Sequence, residues 1–360
     1  MSAMQPEARP VSAWRHSNVR SRAPLRLGLG GGGTDLAPYR DDHGGVVLNA
    51  TIDRYAYAHL SARDDGMILF KADDLAREEM LPCNLDFDIR DGLLLHRAVY
   101  RHMMLHHNGG RAVPLTITTT IDVPAGSGLG ASSALTVALI EAFVVAMQLP
   151  LGPYDIAQLA FEIERVQLGL EGGKQDQYAA AFGGFNFIEF LKGGVGVIVN
   201  PLRLRTSYLN EFESSLVICF SGQSRESADI IKQQVGGLKQ LDDATIHAMH
   251  AIKAHATEMK SLLLAGRVRS TADVLRESWL SKKETAASVS NDNVERLLDV
   301  AMHAGAWAGK VSGAGGGGFI MLLTDPEKRF GLIRTLNEAG GEASAVKLTF
   351  EGVEAWAVPE

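Results

Sequence analysis

The chain has 360 residues, 46% hydrophobic and 21% charged, and its 35 Lys+Arg against 42 Asp+Glu leave a net charge of −7. That length suggests two lobes around a sizeable core and excludes a disordered chain, while the acidic balance excludes a general nucleic-acid binder with a basic face. Two cysteines, Cys83 and Cys219, are too few for a disulfide framework and fit a reducing compartment. The first residues lack the apolar core of a signal peptide, and the most apolar stretch, 138–151, is interrupted by Glu141 and Gln148. The expected location is the cytoplasm, with no membrane partner.

Residues 1–20 read as a tail. Alternation at 46–50 and 55–60 predicts paired strands, with another at 67–70. Apolar residues at 94, 95, 98, 99, 103 and 105 predict a helix over 91–107. LTITTTI at 115–121 predicts a β-branched strand, followed by an Ala- and Leu-rich buried helix over 132–147 and an amphipathic helix over 154–170. Strands are expected at 185–190 and 195–199. The pattern resets around 201–213, which puts a lobe boundary near residue 205. The second lobe opens on a strand at 215–220 and continues with long helices, notably 243–264. It closes with a helix at 291–303, a strand at 319–323, a helix near 328–337, and strands at 345–348 and 353–357. Strands and helices mixed in this way predict an α+β fold.

Glycine makes up 38 of the 360 residues, and the excess gathers at 28–33, 126–130 and 313–318. The strongest cluster is PAGSGLGASSA at 124–134, entered by a strand and left by a helix. Glycines let the backbone turn sharply and approach a ligand, while free helix-start amides face outward, a cradle for phosphates. Pro124, Gly126, Ser127, Gly128, Leu129, Gly130, Ala131, Ser132 and Ser133 are the candidate phosphate-loop residues, and one of the two helix-entrance serines is placed to reach a magnesium ion held by those phosphates. Without a ligand the same residues read as a loop and helix N-cap. A Walker loop is excluded because no Lys follows Gly130. Dinucleotide fingerprints are formally present at 28–33 and 126–131. The second lacks a following strand and strand-end acid, and the first runs into Pro38, which is expected to spoil the required helix. A dehydrogenase is rejected. His96, His102, His106 and His107 include an i, i+4 pair, but no third ligand is spaced to complete a metal site, and a partly solvated helix is expected there.

Three segments occur in order: RAPLRLGLGGGGTDL at 22–36, PAGSGLGASSA at 124–134 and KVSGAGGGGF at 310–319. Together they resemble the three motifs of the GHMP small-molecule kinases, the superfamily of galactokinase, homoserine kinase, mevalonate kinase and phosphomevalonate kinase. The continuation APYRDDHGGVVLNATID at 37–53 and the segment SGQSRESA at 221–228 are most similar to the subgroup acting on D-glycero-D-manno-heptose 7-phosphate. GGGTDL stands where galactokinases have GEHTDY. The resemblance implies a two-lobed kinase, with an amino-terminal lobe like the second domain of ribosomal protein S5 over 21–205 and a ferredoxin-like lobe over 206–360. ATP is the implied co-substrate, Mg2+ the implied cofactor, and a sugar phosphate the implied partner, phosphorylated at its anomeric hydroxyl; a homo-oligomer is compatible with this. A fucokinase-type sugar kinase is the alternative. A non-catalytic sugar- or ATP-binding regulator of the same fold is disfavoured because Asp176, Ser133 and Arg26 are all present.

Residue by residue, the resemblance gives Asp176, in GGKQDQY, the role of proton acceptor, with Arg26 as the cation beside it. Read alone, Asp176 serves equally as an N-cap for a short helix at 177–181, and Arg26 as a surface residue on a strand. Ser133 and Glu164 are implied as magnesium ligands. One residue more than the family spacing separates Glu164 from Asp176, which suggests an insertion at 168–175 and makes Glu162 the neighbour to watch. Thr34 and Asp35 are expected to face sugar hydroxyls, and Gly315 and Gly316 to bring amides to the ligands. For the substrate's own phosphate, Arg225 at a strand-to-helix turn is favoured, with Lys282 and Lys283 second.

Overall fold

The computed structural model describes residues 14, 17–223, 227–240 and 242–359. Its spine is a long antiparallel pair, β1 (Asn18–Gly30) with β2 (Gly45–Ala62), joined through a short helix α1 (Ala37–His43). Pro38 does not block that helix. It sits in the first turn, where a missing N–H removes no intrahelical bond. Residues 18–20, read from sequence as tail, already belong to β1. The strands expected at 46–50 and 55–60 are two halves of β2. The second half pairs with β5 (Leu115–Ile121) and the first with β6 (Phe185–Phe190). β3 (Met67–Ala72) runs parallel to β5 and carries β4 (Arg77–Pro82), whose exposed, charged REEM sequence suits a sheet edge. β7 (Val197–Pro201) extends the sheet from β6.

Helices α2 (Leu94–His107), α3 (Ala131–Met147), α4 (Pro153–Phe161) and α5 (Gln175–Phe182) belong to the same lobe. α3 packs on β1 and β2, and 14 of its 17 residues are buried, as an all-round apolar helix requires. α2 is partly solvated, with Leu105 and His106 exposed, and it also buries polar groups. His96 Nε2 lies 2.9 Å from Thr119 Oγ1, and His102 Nδ1 lies 2.8 Å from Gln167 Nε2. The helix expected over 154–170 does not run uniformly. It passes from α4 into a π turn, Glu162–Gln167, the form in which a helix absorbs one extra residue.

The second lobe comprises α6 (Thr206–Ser215), β8 (Leu216–Phe220), α7 (Ser227–Lys239), α8 (Asp243–Leu264), α9 (Val268–Glu284), α10 (Asp292–His303), β9 (Ala306–Val311), β10 (Phe319–Thr324), α11 (Arg329–Glu338) and β11 (Glu342–Ala345). Its antiparallel sheet runs β11-β8-β10-β9. The chain then returns to the first lobe, where β12 (Glu354–Ala357) pairs with β1. Residues assigned by sequence to the second lobe therefore complete the first sheet. Among the described residues, no helix is long and apolar enough to cross a membrane.

A chain ending before Val353 loses the ladder from Val19–Ala357 to Arg22–Glu354. At about 0.5–1.5 kcal/mol per net hydrogen bond, roughly 2–4 kcal/mol of stability should go. Denaturant unfolding measures the loss, and amide exchange should accelerate along 19–22 while the β8–β11 sheet is unchanged.

Candidate active site

β5 leads into the second glycine cluster and α3 leaves it. Gly126, Ser127, Gly128, Gly130, Ala131, Ser132 and Ser133 line a cleft of about 260 Å³. Gly126, Gly128 and Gly130 have φ of 73°, 77° and 76°, so the loop's turns need glycine. A Cβ on Gly128 would lie 2.5 Å from the Ser312 carbonyl oxygen, and one on Gly313 2.6 Å from the Gly128 oxygen. The second and third glycine clusters thus touch backbone to backbone, and Phe319 N donates to Ser127 O at 2.9 Å. The buried Ser127 hydroxyl, on the cleft wall, has no hydrogen-bond partner among the described residues.

Among the described residues, six expected site residues stand outside this lining: Pro124, Leu129, Gly315 and Gly316, and also Thr34 and Glu164. Pro124 is exposed on the approach to the loop, and Leu129 is buried, its carbonyl accepting from Arg26 N at 3.0 Å. Gly316 N donates to Val289 O at 2.6 Å and Gly316 O accepts from Asn291 Nδ2 at 2.9 Å. Gly315 and Gly316 are therefore absorbed in the turn into β10, and Gly313 and Ala314 reach the cleft in their place.

Arg26 is not a surface residue. Its side chain is 4% exposed, and Nε and Nη2 each lie 2.7 Å from Asp176 Oδ1. Nη1 donates to Gly128 O at 2.6 Å and to Ser312 Oγ at 3.3 Å. Asp176 does not cap its helix, because α5 begins at Gln175 with Lys174 as N-cap; its carboxylate faces Arg26 and the cleft.

Glu164, on the π turn, is fully buried directly behind the helix-entrance serines. Ser133 Oγ donates to it at 2.8 Å, Ser132 Oγ at 3.2 Å and Thr136 Oγ1 at 3.3 Å, and the Gln177 amide donates as well. Arg165 lies 3.7 Å away, on the cleft wall. Glu162 is exposed. Glu164 itself stands on a helical irregularity, the π turn, which precedes the 168–175 loop. A buried carboxylate ringed by hydroxyls is an all-oxygen donor set of the kind magnesium takes.

At the other end of the cleft, Thr34 turns inward, against expectation. Its hydroxyl donates to Gly31 O and Val46 O, both at 2.8 Å, and accepts from Val46 N at 3.0 Å. Asp35 does line the cleft, accepting from Gln175 N at 3.0 Å, Gln175 Nε2 at 3.1 Å and Gly33 N at 3.2 Å. Burial pushes its carboxyl up, opposed by the Gln175 amide, and nearby Asp176 adds to the rise. Lys282 reaches in from α9 and donates to Gly32 O at 2.8 Å, whereas Lys283 turns to Glu295 at 3.3 Å. Burial lowers Lys282 to about 8 and Lys310, on β9, to about 7. Arg225 lies outside the described residues. Sequence reasoning missed Arg165, Gln175, Gln177, Thr136 and Lys310. Only Lys310 left a local signal, a lysine at the end of an apolar strand before the third glycine cluster.

Residues 94–184 match the GHMP kinases N terminal domain and residues 259–342 the GHMP kinases C terminal domain. The chain is 43% identical over 341 residues to the D-glycero-alpha-D-manno-heptose 7-phosphate kinase of Campylobacter jejuni, covering 94% of this chain and 99% of that one. The crystal structure of a D-glycero-D-manno-heptose 1-phosphate kinase from Bacteroides thetaiotaomicron superposes with a TM-score of 0.81 at 40% identity, over 95% of this chain and all of the other. Lactococcus lactis galactokinase complexed with galactose shares the fold, with a TM-score of 0.72 at 17% identity over 95% of each chain.

Two outcomes follow from this geometry. Arg26→Ala strands Asp176 and the Gly128 carbonyl, and breaking such a pair costs about 3–5 kcal/mol, measurable by denaturant unfolding. Both lysines have folded values below the ordinary 10.5, so from about pH 7 to 10.5 the unfolded chain binds more protons and stability rises with pH. Lys310→Met should therefore be more stable than the parent below pH 7, with the difference shrinking steadily towards pH 10.5. Paired unfolding curves across that range check the sign, and a constant difference would contradict it.

Proposed function

The chain belongs to the GHMP kinases, a family of phosphotransferases that use ATP, and from that premise we propose that its cleft phosphorylates the anomeric hydroxyl of D-glycero-D-manno-heptose 7-phosphate. The product would be the 1,7-bisphosphate, an intermediate suited to making a nucleotide-activated heptose. The observation that carries this reading is the Arg26–Asp176 pair, which faces the same cleft as the phosphate loop.

Phosphoryl transfer needs positioning and charge stabilisation more than covalent chemistry. The loop amides and the start of α3 would seat the ATP phosphates, with Ser127 Oγ free to donate to them. Asp176 would accept the proton of the attacking hydroxyl, and an anomeric hydroxyl is acidic enough for a carboxylate to serve. Arg26 holds that carboxylate by one oxygen, leaving Oδ2 for the substrate. Ser133 and Glu164 would hold magnesium, which neutralises phosphate charge when bound. Asp35, held in place by Gln175, would accept from sugar hydroxyls.

The two similar heptose kinases are named for acceptors phosphorylated at different positions, and a heptose already phosphorylated at C1 cannot take a second phosphate on that oxygen. The deciding experiment offers ATP with heptose 7-phosphate, heptose 1-phosphate, fucose, galactose and mevalonate, and locates the new phosphate by 31P NMR. Transfer to C1 of heptose 7-phosphate is the expected result; exclusive use of another acceptor would overturn the reading. Asp176→Asn should lower turnover by at least about 100-fold with KM for ATP nearly unchanged. Ser133→Ala and Glu164→Gln should shift magnesium dependence and recover partly at raised magnesium. Glu162→Gln, at an exposed position, should behave like the parent.

A further inference from the structure

The cations around the cleft, Arg26, Arg165, Lys282 and Lys310, equal the carboxylates Asp35, Glu164, Glu171 and Asp176 in number, but they are not evenly paired. Arg26 is neutralised by Asp176 at 2.7 Å, and Arg165 faces Glu164 at 3.7 Å. Among the described residues, the Lys282 ammonium has only a backbone carbonyl, Gly32 O at 2.8 Å, as hydrogen-bond partner, and Asp35, the carboxylate it feels, already accepts from Gln175 and Gly33. Lys310 is 5% exposed and has no hydrogen-bond or ion-pair partner among the described residues; its charged neighbours are Lys282 and Arg26, both cations. Buried amines without an ion-pair contact are costly, so such a pair beside a cleft suits an incoming anion.

We propose that Lys282, backed by Lys310, receives the phosphate that the sugar acceptor already carries. The inference rests on the kinase reading and names the residues that make its substrate a sugar phosphate. Position supports it first. Lys282 lines the cleft with Asp176 and the phosphate loop but stands against the first glycine cluster, so the nucleotide's phosphates have a separate cradle. Beside it, Gly32 and Gly33 carry no side chain, and a Cβ on either would stand in van der Waals contact with Nζ, at 3.9 and 3.5 Å. An ammonium has three donors, and the Gly32 carbonyl uses one.

The lysine is also held in place. Thr285 Oγ1 donates to Lys282 O at 2.7 Å and accepts from Gln234 Nε2 at 2.7 Å, and Gln234 belongs to α7, which closes that side of the cleft. Lys283, one residue on, turns away to Glu295. Burial lowers both Lys282 and Lys310, a shift that a phosphate dianion beside them would reverse.

Calorimetric binding without ATP tests this, using heptose 7-phosphate and unphosphorylated heptose with the parent, Lys282→Met and Lys310→Met. Charge-assisted bonds to phosphate predict about a 10- to 100-fold loss of affinity for heptose 7-phosphate in Lys282→Met and a smaller loss in Lys310→Met. Affinity for unphosphorylated heptose, which reports an intact fold, should hold, KM for ATP should stay within about twofold, and Lys282→Arg should restore part of the preference. If Lys282→Met does not fold, Lys282→Gln reads the same preference. Survival of that preference in both Met variants, or a rise in KM for ATP in its place, overturns the inference. If the parent phosphorylates heptose 7-phosphate while the variants keep the preference, the inference falls and the kinase reading stands. If the parent phosphorylates no acceptor yet binds heptose 7-phosphate through Lys282, the kinase reading falls and the site stands.

Discussion

The Arg26 guanidinium is where four separate segments meet. It rises from the middle of β1, opposite Thr51 of β2, and reaches Asp176 on α5, the Gly128 carbonyl of the phosphate loop and the Ser312 hydroxyl at the end of β9. Because sheet register fixes its base, the planar fork transmits that register to everything it touches. An ammonium in its place would be a point charge without directional reach to all three partners. The carboxylate, the loop and the second lobe's glycine turn are therefore placed by one side chain, in a family whose chemistry rests on positioning.

Around that node the two glycine-rich turns interlock. Gly128 and Gly313 leave no space for a Cβ between them, and Ser127 closes the contact through Phe319 N. The same closeness leaves the loop's remaining polar groups to look into the cleft. Behind them Glu164 gathers hydroxyls from one turn of α3 and an amide from α5, so the start of α3 is pinned from its own side as well. The π turn brings the carboxylate to this point, since a regular helix would carry the residues after Glu162 round by a different amount.

Features that depend on local backbone conformation were legible in the sequence. The phosphate loop announces itself because positive φ demands glycine, and α3 because an all-apolar segment of that length must be buried. Arg26 and Asp176 were identifiable only through their place in ordered motifs; nothing near either one in sequence indicates a partner 150 residues away. Thr34 was misread for a related reason. Its motif points to the ligand, but a small hydroxyl beside a tight turn is better satisfied by the backbone of Gly31 and Val46. Pro38 was read as a breaker without regard to its place in the first turn. Lys310, Gln175 and Gln177 act across elements, and their roles exist only once α5, β9 and α9 are packed.

The pairing of β12 with the outer side of β1 has a consequence for how the protein is made. β1 carries Arg26, and the outer edge of its first residues, 19–22, is covered by residues 354–357. As the chain leaves the ribosome, the first strand can find β2 within a few dozen residues, but the other row of amides and carbonyls over 19–22 must wait until residues 354–357 have been made. For that interval the nascent lobe presents an open sheet edge, the kind of surface on which strands of neighbouring chains add. The strand that bears Arg26 thus gains its second partner over residues 19–22 only after the second lobe has been made.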